Sequence, residues 1–234
     1  MKIIFFSDAH LDERDNKKIK LVNAFIHDVC ADADIVVILG DLFEFYHGYD
    51  GYIYPCYRDV ADSLKALADK GTDIYFVEGN HEFRMGAFFE SCTGATCIDK
   101  LIIDIDGKNT FISHGYEIGR NILVKILKTR LIYAIMDIFG PGITWKIAVI
   151  ARMFLSRKKK PYSNRAKGIF RQFARKILDE GYDAVILAHS HISDIMELAS
   201  GNTKKFYLNT GDIIRGSTYV EYNTQKGFEL KKYR

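Results

Sequence analysis

The chain has 234 residues, 48% of them apolar and 13% aromatic, enough to bury a full core, so one domain over residues 1–234 is expected. Three prolines and no polar tract exclude long disordered linkers, and no uncharged apolar run reaches the ~18 residues that suggest a membrane-spanning helix. The net charge of +3 hides a split: residues 116–180 hold 15 Lys and Arg against 4 Asp and Glu, a net of +11, while the remaining 18 basic and 26 acidic residues net −8.

The N-terminus enters an apolar run, Ile3–Phe6, with none of the regions of a signal peptide before it. Continuous apolar character predicts a strand covered on both faces. Lys17–Cys30 carries Ile19, Val22, Ile26 and Val29 at helical spacing. Ile35–Leu39 is the next strand, giving β-α-β with a right-handed crossover. Arg58–Lys70 repeats the helical pattern and stops at Gly71, and Asp73–Glu78 is a third strand. A short helix is expected near Phe83–Cys92. Leu101–Ile105 and Thr110–Ser113 flank Asp106-Gly107-Lys108-Asn109, a hairpin signal. A basic, apolar helical insert then runs over about 118–160, broken at Gly140-Pro141-Gly142. Ser163–Asp179 is amphipathic again, and five strands finish the chain: Ala184–Ala188, Ile192–Leu198, Lys205–Leu208, Ser217–Tyr222 and Phe228–Lys232. The sum is an α/β core of two sheets packed face to face between helices. Cys30, Cys56, Cys92 and Cys97 form no CxxC pair, and reduced thiols in a cytoplasmic protein are expected.

Five of the apolar runs end alike. They lead into Ser7-Asp8-Ala9-His10, Gly40-Asp41, Gly79-Asn80-His81, Ser113-His114-Gly115 and His189-Ser190-His191. Each ending alone is an ordinary turn, cap or surface imidazole. Together they deliver carboxylate, amide-oxygen and imidazole donors to the carboxyl ends of strands, where open α/β sheets bind ligands. Asp8, His10, Asp41, Asn80, His114, His189 and His191 are the donor set that Mn, Fe, Mg or Zn takes, without a thiolate. Seven such donors suit two divalent ions sharing a carboxylate, an arrangement suited to phosphoester hydrolysis. His27 and His47 fall outside the pattern and read as structural.

DAH, GDLFE, GNHE, SHG and HSH, in this order, resemble the calcineurin-like metallophosphoesterase superfamily across nearly the whole chain apart from the insert. The resemblance implies a four-layer αββα sandwich of two mixed sheets with a helical lid insert. It also implies one ion on Asp8, His10, Asp41 and His191, a second on Asp41, Asn80, His114 and His189, and His81 contacting the scissile phosphate. Gly40-Asp41-Leu42-Phe43-Glu44 with the aromatics and Gly48 that follow, the insert after SHG, and Asn209-Thr210-Gly211-Asp212 resemble more narrowly the UDP-2,3-diacylglucosamine pyrophosphohydrolases of lipid A synthesis. Those enzymes release UMP and a lipid-linked sugar phosphate at the cytoplasmic membrane face. They carry Arg-Asp where this chain has His81-Glu82, and a histidine supports general acid help for a poorer leaving group. A soluble nucleotide or nucleic acid phosphodiester therefore stays open as substrate, as does, last, a non-catalytic scaffold of the same fold.

Within the insert, Asn121–Ile138 and Ile143–Leu155 are densely apolar, with Lys125, Lys128 and Arg130 interspersed and Arg157-Lys158-Lys159-Lys160 following. Such a pattern suits a lid on an anionic membrane surface that holds acyl chains. It equally suits a helical pair packed on the core, or a dimer interface. Its apolar density exceeds what nucleic acid binding requires. Asn164 and Arg165, just past the insert, are candidate diphosphate contacts.

Overall fold

The computed structural model describes residues 1–119, 122–155, 164–201 and 203–233. In chain order these form β1 (Lys2–Phe6), α1 (Asn16–Asp28), β2 (Ile35–Ile38), β3 (Tyr46–His47), α2 (Arg58–Ala68), β4 (Asp73–Val77), β5 (Glu82–Phe83), α3 (Gly86–Thr93), β6 (Ala95–Ile98), β7 (Lys100–Ile105) and β8 (Lys108–Ser113). The insert follows as α4 (Ile122–Leu127) and α5 (Arg130–Leu155). The chain ends with α6 (Asn164–Asp179), β9 (Ala184–Leu187), β10 (Asp194–Ser200), β11 (Thr203–Asn209), β12 (Thr218–Asn223) and β13 (Gly227–Lys232).

Two mixed sheets result, ordered β13-β12-β1-β2-β4-β6 and β10-β11-β9-β8-β7. In the first, β1, β2, β4 and β6 run parallel, β12 is antiparallel to β1, and β13 is antiparallel to β12. Because successive side chains alternate across a strand, the continuous apolar runs serve two cores at once. Ile3, Phe5, Val37 and Leu39 pack against Ile112, Ala184, Ile186 and Leu208 of the second sheet. Ile4, Phe6, Val36 and Ile38 face the helices, among them Val22, Phe25, Leu64 and Phe89. On the far side, Val185 and Leu187 cover Phe170, Ala174 and Leu178 of α6. The four-layer αββα sandwich expected from the sequence is the fold observed.

The differences are local. The helix expected near Phe83–Cys92 begins only at Gly86, because Arg84 and Gly86 adopt positive φ (62° and 81°) and the preceding residues pair with β3 instead. β6 has no counterpart in the sequence reading; its Thr96 and Cys97 break the apolar run that marks the other parallel strands. The break foreseen at Gly140-Pro141 is present: Gly140 leaves helical geometry at φ 70°, ψ 172°, dividing α5. The α5 helix reaches the core with Tyr133, Met136, Trp145 and Ala148. Its other faces leave Leu131, Ile138, Ile143, Ile147 and Ile150 at least half exposed. Arg130–Ala151 is long and apolar enough to cross a membrane by length and composition, despite Asp137 and Lys146 within it. The basic run Arg157–Lys160 lies outside the described residues, as does the side chain of Asn164. Cys30, Cys56, Cys92 and Cys97 are free thiols.

Candidate metal centre

The parallel strands of the first sheet and the central strands of the second end at one edge, and their first non-strand residues carry the donors. The β1 and β2 loops are laced together by Asp8 N–H donating to the Gly40 carbonyl at 3.1 Å and His10 N–H to the Asp41 carbonyl at 2.9 Å. Gly40 sits at φ 76°, and a Cβ there would stand 2.4 Å from the Gly79 nitrogen, so only glycine lets the β2 and β4 ends approach this closely. Asp8, His10, Asp41, His189 and His191 all lie at positive φ, between 46° and 62°. Left-handed backbone at non-glycine residues is uncommon and clusters at functional sites.

Three of the imidazoles are oriented by a bond at Nδ1. His114 Nδ1–H donates to the Leu39 carbonyl at 2.6 Å, His81 Nδ1–H to the Glu44 carbonyl at 2.6 Å, and His191 Nδ1–H to Asp212 at 3.1 Å. Their Nε2 atoms are thereby turned toward carboxylates. His191 Nε2 is 3.4 Å from Asp8 Oδ1, His114 Nε2 3.3 Å from Asp41 Oδ2, and His81 Nε2 4.0 Å from the same Asp41 oxygen. Asp41 Oδ2 is also 3.8 Å from His10 Nε2. Donor atoms converge in three groups: Asp8, His10 and His191; Asp41, His114 and His189; and His10, Glu44 and His81.

Packing these charges together without water pulls the titrations apart. Burial raises Asp8. Burial opposes ionisation of Asp41 as well, yet His114 and His81 beside it hold the carboxyl well below its usual range. Burial would lower His114, but Asp41 outweighs it and carries the imidazole to about 9. His189 is driven down to about 3 by burial and by its neighbour His114. Such mutually shifted groups in one cleft mark a functional site.

Residues 1–193 match the model of the calcineurin-like phosphoesterase family. The chain belongs to that family. It is similar to the UDP-2,3-diacylglucosamine hydrolase of Aeromonas hydrophila, 38% identical over 117 residues that cover 49% of this chain and 48% of that protein. It is also similar to the enzyme of that name from Pseudomonas fluorescens, at 24% identity over 99% of this chain and 95% of that one. The chain thus spans about half the length of the curated relatives it matches at the higher identity. The structure of an archaeal phosphodiesterase has a TM-score of 0.50 at 16% identity over 99% of both chains, a likeness of fold alone.

The family is metal-dependent, and the residues here fit a cation. Asp8 Oδ1 and Asn80 Oδ1 are buried oxygens without a hydrogen-bond partner among the described residues, and buried acceptors are rarely left so. His114 Nε2 and His189 Nδ1 stand 3.1 Å apart, and His114 is oriented by its Nδ1–H bond. Two imidazole nitrogens and a carboxylate facing one another suit a shared cation, which would take the place of the proton that Asp41 otherwise holds on His114.

Two carboxylates complete the site beyond the seven expected donors. Glu44 Oε2 lies 3.6 Å from His10 Nδ1, and Asp212 holds His191, the carboxylate–histidine pairing that fixes a metal ligand. Asp212 carried a readable signal, since Phe206-Tyr207-Leu208 is one more apolar run ending in small and acidic residues. Glu82 is fully buried beneath the loops: Oε2 accepts from the Asp41 and Gly79 amides, each at 2.9 Å, and Oε1 from Phe43 at 3.2 Å. Arg165 is exposed in the first turn of α6, apart from any hydrogen bond to the cluster among the described residues. His27 is exposed on α1 and bonds Asp28. His47 is wholly buried, bonded to the Phe83 carbonyl at 2.6 Å and to Asp137 of α5 at 2.8 Å, and so ties the insert down.

Proposed function

We propose that the chain is a metal-dependent phosphohydrolase that cleaves a lipid-linked nucleoside diphosphate sugar of the UDP-2,3-diacylglucosamine type, giving UMP and an acylated sugar phosphate. The observation that carries this reading is the convergence of donors from five strand ends on one cleft. One divalent ion would be held by Asp8, His10, Asp41 and His191 and a second by Asp41, Asn80, His114 and His189. Manganese is the first choice, with iron, magnesium or zinc as alternatives. When bound, such a pair polarises phosphoryl oxygens and supplies a nucleophilic water at neutral pH.

The chain's own groups do the rest. His81 is the catalytic residue of this reading: its Nδ1–H is tied to the Glu44 carbonyl and its side chain is 30% exposed at the mouth, leaving Nε2 to face substrate. Burial works against its protonation, but Asp41 and Glu44 outweigh burial and raise its pKa. With Nδ1 tied down, Nε2 is the atom that can donate to a phosphoryl oxygen and give a proton to the departing oxygen. Asp41 Oδ1 accepts the His81 N–H at 3.0 Å, so a residue that would belong to both proposed ion sites also positions the acid.

A lipid-linked substrate is supported by the names of the similar bacterial enzymes and by the apolar face of α5. The insert would act as the lid of one domain over residues 1–234, holding acyl chains and resting peripherally on the anionic cytoplasmic face of the inner membrane. Asn164 and Arg165 follow it and would contact the diphosphate. A second reading, a soluble phosphodiester, is favoured by His81 standing where the lipid A enzymes carry arginine.

The test is turnover of UDP-2,3-diacylglucosamine, soluble UDP-sugars and bis-p-nitrophenyl phosphate by the full chain with manganese, with and without liposomes. The main reading expects liposome-dependent preference for the acylated substrate; equal turnover of soluble UDP-sugars selects the second. Asp41→Ala is expected to lower turnover at least ~10³-fold and reduce bound metal, whereas His81→Ala loses about 10²–10⁴-fold and keeps its metal. Full activity of Asp41→Ala with manganese present would refute the assignment.

A further inference from the structure

Beside the donor cluster lies a cavity of about 590 Å³, within the size range of small-molecule sites. Two separated parts of the chain build its walls. Glu78 and Arg84 flank the Asn80-His81 loop, and Tyr116, Lys128 and Tyr133 come from the segment after His114. The Tyr116 ring lies 6.1 Å from the His114 ring, so the cavity adjoins the cluster.

Lys128 is the group that the fold does not explain. Its side chain is only 9% exposed, and Nζ has no hydrogen-bond partner among the described residues. The nearest carboxylate, Glu78 Oε2, stands 3.7 Å away, beyond hydrogen-bond reach, while Glu78 Oε1 already accepts the Met85 N–H at 2.7 Å. The Tyr116 ring, 4.8 Å from Nζ, offers a π-face but no lone pair for the three N–H donors. A buried ammonium with unmade hydrogen bonds is costly, and such an exception calls for a ligand or a water. Across the cavity Arg84 is held at φ 62°, its guanidinium 5.9 Å over Tyr133 and paired with Asp137.

The wall thus combines an unsatisfied donor, a carboxylate acceptor and two tyrosine faces. Among the lining residues Arg84, Lys100 and Lys128 are balanced by Glu78, Asp99 and Glu117, so a bare phosphate meets no net positive charge there. An acyl chain would leave the Lys128 donors unmet. A ring bearing hydroxyls satisfies all three features: its oxygens accept from Lys128, its O–H groups donate to Glu78, and its C–H face rests on tyrosine. We propose that this cavity is the subsite for the hydroxyl-bearing ring attached to the cleaved phosphate, with Lys128 as its specificity-determining donor. Only its connection to turnover rests on the phosphohydrolase reading.

The experiment is calorimetric titration of the manganese-loaded full chain with UMP, with glucosamine 1-phosphate and with methyl phosphate, comparing the parent with Lys128→Met and Lys128→Arg. Lys128→Met is expected to weaken at least one ring-bearing ligand tenfold or more and to leave methyl phosphate unchanged, with Lys128→Arg recovering part of the loss. Loss confined to UMP assigns the ribose; loss confined to glucosamine 1-phosphate assigns the hexose. Unchanged affinity for both, or an equal loss for methyl phosphate, overturns the proposal. Lys128→Met also takes from the largely buried Glu78 carboxylate the ammonium 3.7 Å away, so a lower Tm is expected; if Lys128→Met fails to fold, Lys128→Gln is titrated in its place. Failure of the phosphohydrolase reading registers separately, as no turnover of bis-p-nitrophenyl phosphate by the parent, and leaves these affinities intact.

Discussion

Replacing Glu82 with alanine should be among the most damaging single changes in this chain that touch no proposed metal ligand. The carboxylate accepts three backbone N–H groups, from Asp41, Gly79 and Phe43, and is itself fully buried. Each donor stranded without a partner costs about 1–3 kcal/mol. Loop relaxation and entering water return part of that sum, leaving a loss of about 3–5 kcal/mol. For a chain of this size the loss corresponds to a fall in Tm of about 6–20 °C. The same bonds hold the β2 and β4 ends together, so metal retention by dialysed protein should fall as well. Glu82→Gln preserves shape but turns an NH₂ group toward amide donors, and should show a smaller drop of the same sign. Thermal unfolding by circular dichroism, paired with metal analysis, reads both effects. A Glu82→Ala protein melting within about 2 °C of the parent, with full metal content, would refute the idea that this side chain clamps the site.

Asp212→Ala frees the His191 ring and is expected to weaken manganese binding about 10–100-fold, measured by competition with a chelating dye. Asp137→Ala removes the partner of buried His47 and of Arg84; KM for the acylated substrate should rise several-fold while turnover of bis-p-nitrophenyl phosphate holds. Asp194 is bound by Arg171 at 2.7 Å and Lys167 at 2.8 Å. Burial alone would raise its pKa, but these cations win and hold it below 3.8. Its folded value lies below the unfolded one, so its contribution to stability is present above that unfolded value and lost as pH falls through the folded one. Asp194→Asn should therefore cost stability near neutral pH and flatten the acid limb of denaturant titrations.

The proposed donors can be picked out in the sequence because each follows an apolar run, and a strand covered on both faces has a sharp, readable end. Glu44 was harder to single out than Asp212, which follows an apolar run of its own: a carboxylate within a loop looks alike in sequence whether it faces an imidazole or meets solvent. Glu82 hides for the reverse reason, since a fully buried acid becomes recognisable only when its three amide donors are brought to it by the fold. β3 and β5, two residues each, are too short to carry a period. The insert is apolar on several faces, so its pattern could not say which face docks; that was decided by Tyr133, Met136 and Trp145 meeting the core. Nor does Lys128 stand out among the basic residues of its segment until its neighbours exclude water from it.

Asp8, His10, Asp41, His189 and His191 share a backbone twist that L-residues resist, at about 1–3 kcal/mol apiece. Glycine would relieve the strain at every one of them while deleting the donor. Selection of random variants for heat resistance alone should accordingly drift toward glycine at these five codons and yield sturdier, inert descendants. Selection for turnover would restore the strained residues, so heat resistance and activity should trade against each other at these positions.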